Sequence, residues 1–178
     1  LECAGGIRVI LISAHCRDNL GVPMHHMFRA IRRVMDEHPD VRAIYPIHMN
    51  PVVRRAADEE LGGCDRIHII EPLEVLDCHN IMAKSYMILT DSGGIQEEAP
   101  SLGKPVLVMR DTTERPEGIA AGTLRLVGTD EEVIYDNFRR LLEDKDAYNA
   151  MAHAANPYGD GLASRRIADI LEFGKTDI

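Results

Sequence analysis

A polar, glycine-rich turn follows an apolar run in the middle of the chain. Residues 86–90 (YMILT) predict a buried strand, and residues 91–94 (DSGG) predict a tight turn that opens a helix. Because Gly93 and Gly94 have no Cβ, a ligand can approach the backbone amides at the start of that helix closely. Those unpaired N–H groups and the positive end of the helix dipole favour an anion.

A carboxylate stands one helical turn beyond the glycines. Glu98 follows Gly94 by four residues, so it projects from the same helix face. It is too far along to share a phosphate with Gly94 and suits neutral hydroxyls such as a ribose diol, so the pair indicates a nucleotide or a nucleotide-sugar. A second interpretation stays open, in which Ser92 only caps the helix while Glu97 and Glu98 complement its dipole.

Three polar segments follow predicted strands at their carboxyl ends, the edge at which ligands bind in open α/β sheets: residues 15–19, 92–98 and 110–117. Together they supply the imidazole of His15, two arginines, the helix start and the carboxylate of Glu98. This set suits a pyrophosphate. Taken alone, a histidine after a strand, such as His15, more often forms hydrogen bonds within its loop than acts in catalysis.

Hydrophobic periodicity predicts strands that alternate with helices. The predicted strands are residues 7–13, 41–48, 66–70, 86–90, 106–109 and 123–127; the predicted helices include residues 23–38, 51–61, 73–85, 130–154 and 163–173. The alternation predicts an α/β fold with a doubly wound parallel sheet. A Gly- and Pro-rich segment, residues 156–161, separates the last helix from the body.

Composition narrows the class of protein. A chain of 178 residues fits one domain, and its net charge of −9 argues against nucleic acid as a partner. The four cysteines, Cys3, Cys16, Cys64 and Cys78, have no CxxC spacing and are expected to be reduced thiols.

No apolar run is long enough to span a membrane, and the N-terminus lacks a signal-peptide pattern, so a soluble cytoplasmic protein is expected. Histidines 25, 26 and 79 lack convergent partners at ligand spacing, so no metal site is expected.

Several motifs match one family. They are residues 13–19 (SAHCRDN), 48–51 (HMNP), 90–100 (TDSGGIQEEAP), 103–110 (GKPVLVMR), 113–117 (TERPE) and 156–161 (NPYGDG). The chain resembles, nearly end to end, the carboxyl-terminal half of bacterial non-hydrolysing UDP-N-acetylglucosamine 2-epimerases. The resemblance implies a Rossmann-like domain over residues 1–178, one half of a glycosyltransferase-B-type pair, and an intact protein that is a homodimer. The amino-terminal catalytic domain would lie outside this sequence. A start at Leu1 rather than Met is expected either of a chain cut from something longer or of a processed chain.

The resemblance also assigns roles. Ser92, Gly93 and Gly94 would hold the diphosphate of UDP, Glu98 the ribose hydroxyls and Arg115 the phosphates. His15 would sit at the cleft beside the diphosphate and the sugar, as the catalytic group of this half. The family interconverts UDP-GlcNAc and UDP-ManNAc by eliminating UDP and adding it back. It uses no nicotinamide or other cofactor.

Three positions depart from the family pattern. Cys16 stands where the family usually has an Arg that, with the histidine matching His48, contacts an activating second UDP-GlcNAc in some members. Cys78 replaces a Phe that lies against uracil, and Leu73 replaces a Gln that reaches the base in some members. The expected losses are in allosteric activation and in base recognition.

Two other functions fit the same residues. A glycosyltransferase donor domain of the same architecture would show similar nucleotide chemistry. A module that binds a UDP-sugar, regulates a partner and catalyses nothing would also fit. Absence of UDP binding would exclude the epimerase and the glycosyltransferase, and formation of UDP-ManNAc in the presence of the first domain would separate the epimerase from the module.

Overall fold

The computed structural model describes residues 6–174 and contains one six-stranded sheet. The strands are β1 (Arg8–Ser13), β2 (Val41–Pro46), β3 (Ile67–Ile70), β4 (Met87–Thr90), β5 (Val106–Val108) and β6 (Leu124–Leu126). All neighbouring pairs are parallel, in the order β3-β2-β1-β4-β5-β6. The predicted α/β fold with a doubly wound, Rossmann-like parallel sheet is confirmed.

Helices connect the strands and continue to the carboxyl end. They are α1 (Val22–Glu37), α2 (Pro51–Leu61), α3 (Val75–Lys84), α4 (Gly93–Glu98), α5 (Pro116–Ala121), α6 (Glu131–Glu143), α7 (Lys145–Ala152) and α8 (Ala163–Phe173). Short 3-10 helices cover Arg17–Asn19 and Ala99–Leu102. Within the described part of the chain, no helix is long and apolar enough to cross a membrane.

The two faces of the sheet have separate cores because side chains alternate along each strand. Ile10 and Ile12 of β1 pack in the larger core, with residues of α1, α2 and α6. Leu11, between them, packs in the smaller core with Met82 of α3 and Ala99. Strands buried on both faces read as continuous apolar runs, which is why they were predictable.

The order in which successive strands are added to the sheet reverses between β1 and β4. From β1 the chain proceeds through α1 to β2 on one side, whereas from β4 it proceeds through α4 to β5 on the other. Because the two connections leave in opposite directions, a crevice opens at the carboxyl ends of these two strands. The loops that follow β1 and β4 line this crevice.

Two predictions about the number of helices are wrong. The single helix expected over residues 130–154 is two helices, because Asp144 adopts an extended conformation and its carboxylate accepts the N–H groups of Asp146 and Ala147, both at 3.0 Å. A side chain that accepts hydrogen bonds from the backbone amides that follow it caps the start of a new helix. The second error concerns the charged segment 110–117, which was expected to be loop throughout. Helix α5 begins within this segment at Pro116, because proline is favoured in the first turn of a helix.

Helix α8 differs from the other helices in its burial. None of its residues is buried, and Leu171 and Phe173 are 82% and 60% exposed. The Gly- and Pro-rich segment 156–161 precedes it, as expected. Among the cysteines, Cys16, Cys64 and Cys78 are free thiols, and Cys3 lies outside the described residues.

Candidate functional site

The turn after β4 has room for a ligand at the start of α4. Ser92 occupies the N-cap position, yet its side chain makes no capping hydrogen bond. Gly93 and Gly94 lie in the helix without a positive φ. Apart from the adjacent residues and the local backbone of the helix, a methyl group added at either would meet no described atom closer than 3.7 Å. The fold itself therefore does not require glycine here. The interpretation of Ser92 as only a helix cap is weakened, because the capping bond is not made.

Glu98 points back toward the first turn of its own helix. Its Oε1 lies 3.7 Å from the position that a methyl group on Gly94 would take. Its Oε2 lies 2.9 Å from Nε2 of His79, which is contributed by α3. A carboxylate can only accept hydrogen bonds, so Nε2 of His79 carries the proton of this bond. The predicted spacing of Gly94 and Glu98 thus gives the predicted shared face.

Arg115 approaches the same turn from the segment between β5 and α5. Its Nη2 lies 3.8 Å from the position of a methyl group on Gly93. Its Nε donates to the carboxylate of Glu97 and its Nη1 to the carbonyl oxygen of Glu114, at 3.0 Å. These two contacts orient the guanidinium toward the mouth of α4.

Arg110, the second arginine of this segment, has a different arrangement. Both of its terminal nitrogens donate to the carboxylate of Glu114, each at 2.9 Å. This hydrogen-bonded ion pair is the first cause of a lowered pKa at Glu114. Arg115 is therefore the arginine that the fold brings to the glycine turn.

A buried amide joins the segment that carries Arg115 to the turn after β4. Gln96 has 0% exposure, and its Nε2 donates to the carbonyl oxygen of Ser92 at 3.2 Å. Its Oε1 accepts the hydroxyl proton of Thr113 at 2.6 Å. The same hydroxyl oxygen accepts the backbone N–H of Arg115 at 3.0 Å. This chain of three bonds fixes Arg115 relative to Ser92.

A buried carboxylate joins the loop after β1 to the turn after β4. Asp91 is 2% exposed, and its oxygens accept the backbone N–H groups of His15 at 3.0 Å and of Cys16 at 2.8 Å. It also accepts from Nδ2 of Asn19 at 3.1 Å. Because Asp91 immediately precedes Ser92, these bonds hold His15 beside the entrance of α4. The His15 imidazole is 44% exposed, with Nδ1 3.8 Å from Asp91 Oδ1.

His15 is stacked on His48, which follows β2. The two ring centroids are 5.6 Å apart and the planes are 8° from parallel. Nδ1 of His48 accepts the backbone N–H of Asn50 at 3.1 Å. Cys16 is the N-cap residue of the short 3-10 helix next to His15, and its Sγ lies 3.9 Å from a carboxylate oxygen of Asp18. The residues predicted for an allosteric site are therefore adjacent to His15.

The two residues predicted near the base lie on the side of α3. Cys78 packs against the smaller core, where burial, and then the charge of Glu98, raise the pKa of its thiol. Leu73 is half-buried and lies before α3, which starts at Val75 and not at residue 73 as expected. The structure thus puts Cys78 near Glu98 and gives no contact for Leu73 that would mark it as part of the site.

Comparison with known proteins identifies the family. The family model described as UDP-N-acetylglucosamine 2-epimerase matches residues 4–172. This chain belongs to the UDP-N-acetylglucosamine 2-epimerase family. The UDP-N-acetylglucosamine 2-epimerase of Bacillus subtilis (strain 168) is 62% identical over 173 residues, which are 97% of this chain and 46% of that protein.

Solved structures of other family members share the fold. The S. aureus MnaA-UDP co-structure superposes with a TM-score of 0.91 and 52% identity, covering 95% of this chain and 46% of that one. The UDP-GlcNAc 2-epimerase from Neisseria meningitidis bound to UDP-GlcNAc gives a TM-score of 0.89 and 46% identity, covering 96% of this chain and 47% of that one. The chain spans about half the length of the epimerases that it matches, so it corresponds to their carboxyl-terminal half.

Most of the residues predicted to bind UDP lie close together in the structure. His15, Ser92, Gly93, Gly94, Glu98 and Arg115 surround the start of α4. Three residues that organise them were not predicted as part of the site: Asp91, Gln96 and His79. Asp91 and Gln96 lie inside the motif at residues 90–100, where a polar residue next to a buried strand is the signal that could have identified them.

Proposed function

We propose that residues 1–178 form the UDP-binding domain of a non-hydrolysing UDP-N-acetylglucosamine 2-epimerase. In this proposal the intact protein is a homodimer that interconverts UDP-GlcNAc and UDP-ManNAc, and its amino-terminal domain completes the active site. No cofactor takes part. The isolated half binds UDP and is inactive alone. Membership of the epimerase family favours this function over that of a glycosyltransferase donor domain.

One observation carries the proposal. A carboxylate and a guanidinium, from Glu98 and Arg115, approach the first turn of α4 from two sides, 3.7 Å and 3.8 Å from the places where methyl groups on Gly94 and Gly93 would lie. Helix amides and an arginine suit a diphosphate, whereas a carboxylate suits the neutral diol of a ribose. Their separation along one turn matches the order diphosphate then ribose in UDP.

The proposed chemistry is elimination of UDP to a glycal and its re-addition on the other face. Negative charge develops on the departing β-phosphate oxygen as the bond to the sugar breaks. The amides of Gly93 and Gly94, with Arg115 and His15, would stabilise that charge because they are already oriented before reaction. Proton transfer at C2 of the sugar requires acid and base groups, which we assign to the amino-terminal domain.

The substitution Gly94→Ala tests this proposal because it should affect stability and binding in opposite directions. The added methyl group finds only ordinary contacts within the protein, and alanine favours a helix over glycine by about 0.5–1 kcal/mol. Thermal unfolding should therefore be unchanged or occur at higher temperature. Calorimetric titration with UDP should show affinity at least about tenfold weaker, since the methyl group occupies the space of the phosphate.

Two companion variants extend the titration. Ser92→Ala should weaken UDP binding modestly, and Glu98→Ala should weaken it through the lost ribose contacts. Absence of UDP binding by the unsubstituted chain would remove the proposal. Unchanged affinity in Gly94→Ala would show that the phosphates lie elsewhere.

A complementation experiment separates the epimerase from a regulatory module that binds a UDP-sugar. The chain is mixed with a separately expressed amino-terminal domain, and formation of UDP-ManNAc from UDP-GlcNAc is followed. Turnover by the mixture, with none from either part alone, supports the epimerase. An intact two-domain protein that binds UDP-GlcNAc and never produces UDP-ManNAc would favour the module.

A further inference from the structure

His79 is the one imidazole that contacts the carboxylate proposed to accept the ribose hydroxyls, among the residues that the structure describes. It comes from α3, whereas Glu98 ends α4, and Nε2 of His79 lies 2.9 Å from Oε2 of Glu98. The other oxygen, Oε1, faces the first turn of α4, 3.7 Å from the position of a methyl group on Gly94. One oxygen is thus engaged by the protein while the other faces the proposed ligand.

We infer that His79 is a positioning residue, which holds Glu98 in the rotamer that accepts the ribose diol of UDP. This inference rests on the proposed function, because it assumes that a nucleoside diphosphate occupies the crevice. His79 itself does not touch the ligand in this scheme. It acts by fixing one carboxylate oxygen so that the other points toward the sugar.

The physical basis is the flexibility of glutamate. Side chains of Glu98 and His79 are 49% and 46% exposed, so packing alone does not fix the carboxylate. An exposed glutamate loses rotamer freedom when a ligand immobilises it. A hydrogen bond from His79 restricts Glu98 before the ligand arrives and reduces that loss. As the pair is solvent-exposed, its effect on overall stability should be small.

The experiment measures discrimination between UDP and 2′-deoxy-UDP, since this ratio reports the contact between Glu98 and the ribose hydroxyls. We compare the unsubstituted chain with His79→Ala and His79→Gln by calorimetry. Loss of the orienting bond should reduce the discrimination ratio by about 2- to 10-fold in His79→Ala, mainly through weaker UDP binding. His79→Gln, which retains an N–H donor, should recover most of the ratio.

A matched control is available on the other face of the sheet. His25 of α1 forms the same kind of pair with Glu60 of α2, with Nδ1 and Oε1 2.8 Å apart. His25→Ala should leave the ratio unchanged. In a background of Glu98→Ala, His79→Ala should have no further effect on the ratio, because the group that it orients is gone.

Four results would contradict the inference. If His79→Ala weakens UDP and 2′-deoxy-UDP equally, His79 only joins α3 to α4. If it strengthens UDP binding, the His79 bond holds Glu98 away from the ligand. If the unsubstituted chain binds both nucleotides equally, Glu98 does not accept the diol. If the unsubstituted chain fails to bind UDP at all, the proposed function is contradicted together with the inference. In the first three results the unsubstituted chain still binds UDP, so the proposed function stands.

Discussion

At the scale of single residues, Asp91 determines where His15 lies. Its carboxylate is buried and accepts N–H groups from His15, Cys16 and Asn19, so three residues after β1 are bound to the end of β4. A buried carboxylate needs such donors, because an unpaired one would be costly to remove from water. The position of the His15 imidazole beside α4 is a consequence of these bonds.

Replacement of Asp91 by Asn should therefore destabilise the protein and disturb the site. If the amide oxygen of Asn takes the place of Oδ2, its NH2 group takes the place of Oδ1 and faces the backbone N–H of His15, donor against donor. In the opposite orientation, the N–H groups of Cys16 and Asn19 lose this acceptor. We expect the free energy of unfolding in urea to fall by about 1–3 kcal/mol. UDP affinity should fall as well, because the loop of His15 is no longer held.

Asp58→Asn provides the control for this substitution. Asp58 is exposed on α2, and exposed substitutions usually change the unfolding free energy by less than about 0.5 kcal/mol. If Asp91→Asn unfolds with the same free energy as Asp58→Asn, the carboxylate does not organise the loop in solution.

At the scale of elements, the β5–α5 segment is held to α4 through Thr113. Its hydroxyl donates to the buried Oε1 of Gln96 and accepts the N–H of Arg115. This one side chain therefore hydrogen-bonds both to α4 and to the segment before α5. Loss of the hydroxyl leaves the buried oxygen of Gln96 without its donor. This loss should lower the free energy of unfolding and should also displace Arg115.

Thr113→Val tests this connection because valine keeps the shape of threonine and removes only the hydroxyl. We expect a loss of about 1–3 kcal/mol in the free energy of unfolding in urea, the usual cost of a buried polar group left unpaired. We also expect weaker UDP binding by calorimetry, because Arg115 is less well positioned.

The adjacent residue supplies the comparison. Thr112 is exposed, so Thr112→Val should change neither quantity appreciably. Equal behaviour of the two valine variants would mean that the hydroxyl of Thr113 does not connect the elements.

The elements also show what a single sequence can and cannot predict. The buried strands were predictable because both of their faces are apolar, and the helix start at Gly93 because a turn signal follows such a strand. The break at Asp144 was missed because helical periodicity continues across it, and only the bonds of its carboxylate to the following amides reveal it.

The site was predictable in part for the same reason. Spacing within one helix relates Gly94 to Glu98, since four residues make about one turn. Spacing says nothing of pairs such as His15 with Asp91, which lie 76 residues apart, or His79 with Glu98, which lie 19 apart on different helices. Those contacts depend on the order of strands and on the packing of α3 against the sheet.

At the scale of the whole molecule, the parallel sheet explains why distant segments form one site. The strand order brings the ends of β1 and β4 together and sends their connections in opposite directions. The crevice between them receives His15 from one side and α4 from the other. Helix α8 lies beyond the segment 156–161 and has no buried residue, so it takes no part in either core.

The described core should therefore be stable without the side chains of α8. The same substitution in two helices tests this: Leu171 of α8 is 82% exposed, whereas Leu141 of α6 is 1% exposed. Leu141→Ala opens a cavity beneath α6 and should reduce the free energy of unfolding in urea by about 2–5 kcal/mol. Leu171→Ala removes a side chain that packs on neither core and should change it by less than about 0.5 kcal/mol. A loss of more than about 1 kcal/mol in Leu171→Ala would mean that α8 folds back onto the body in solution. With both values as expected, the side chain of Leu171 adds little to the stability of the α/β core, because burial and not helix formation alone supplies the stabilising free energy.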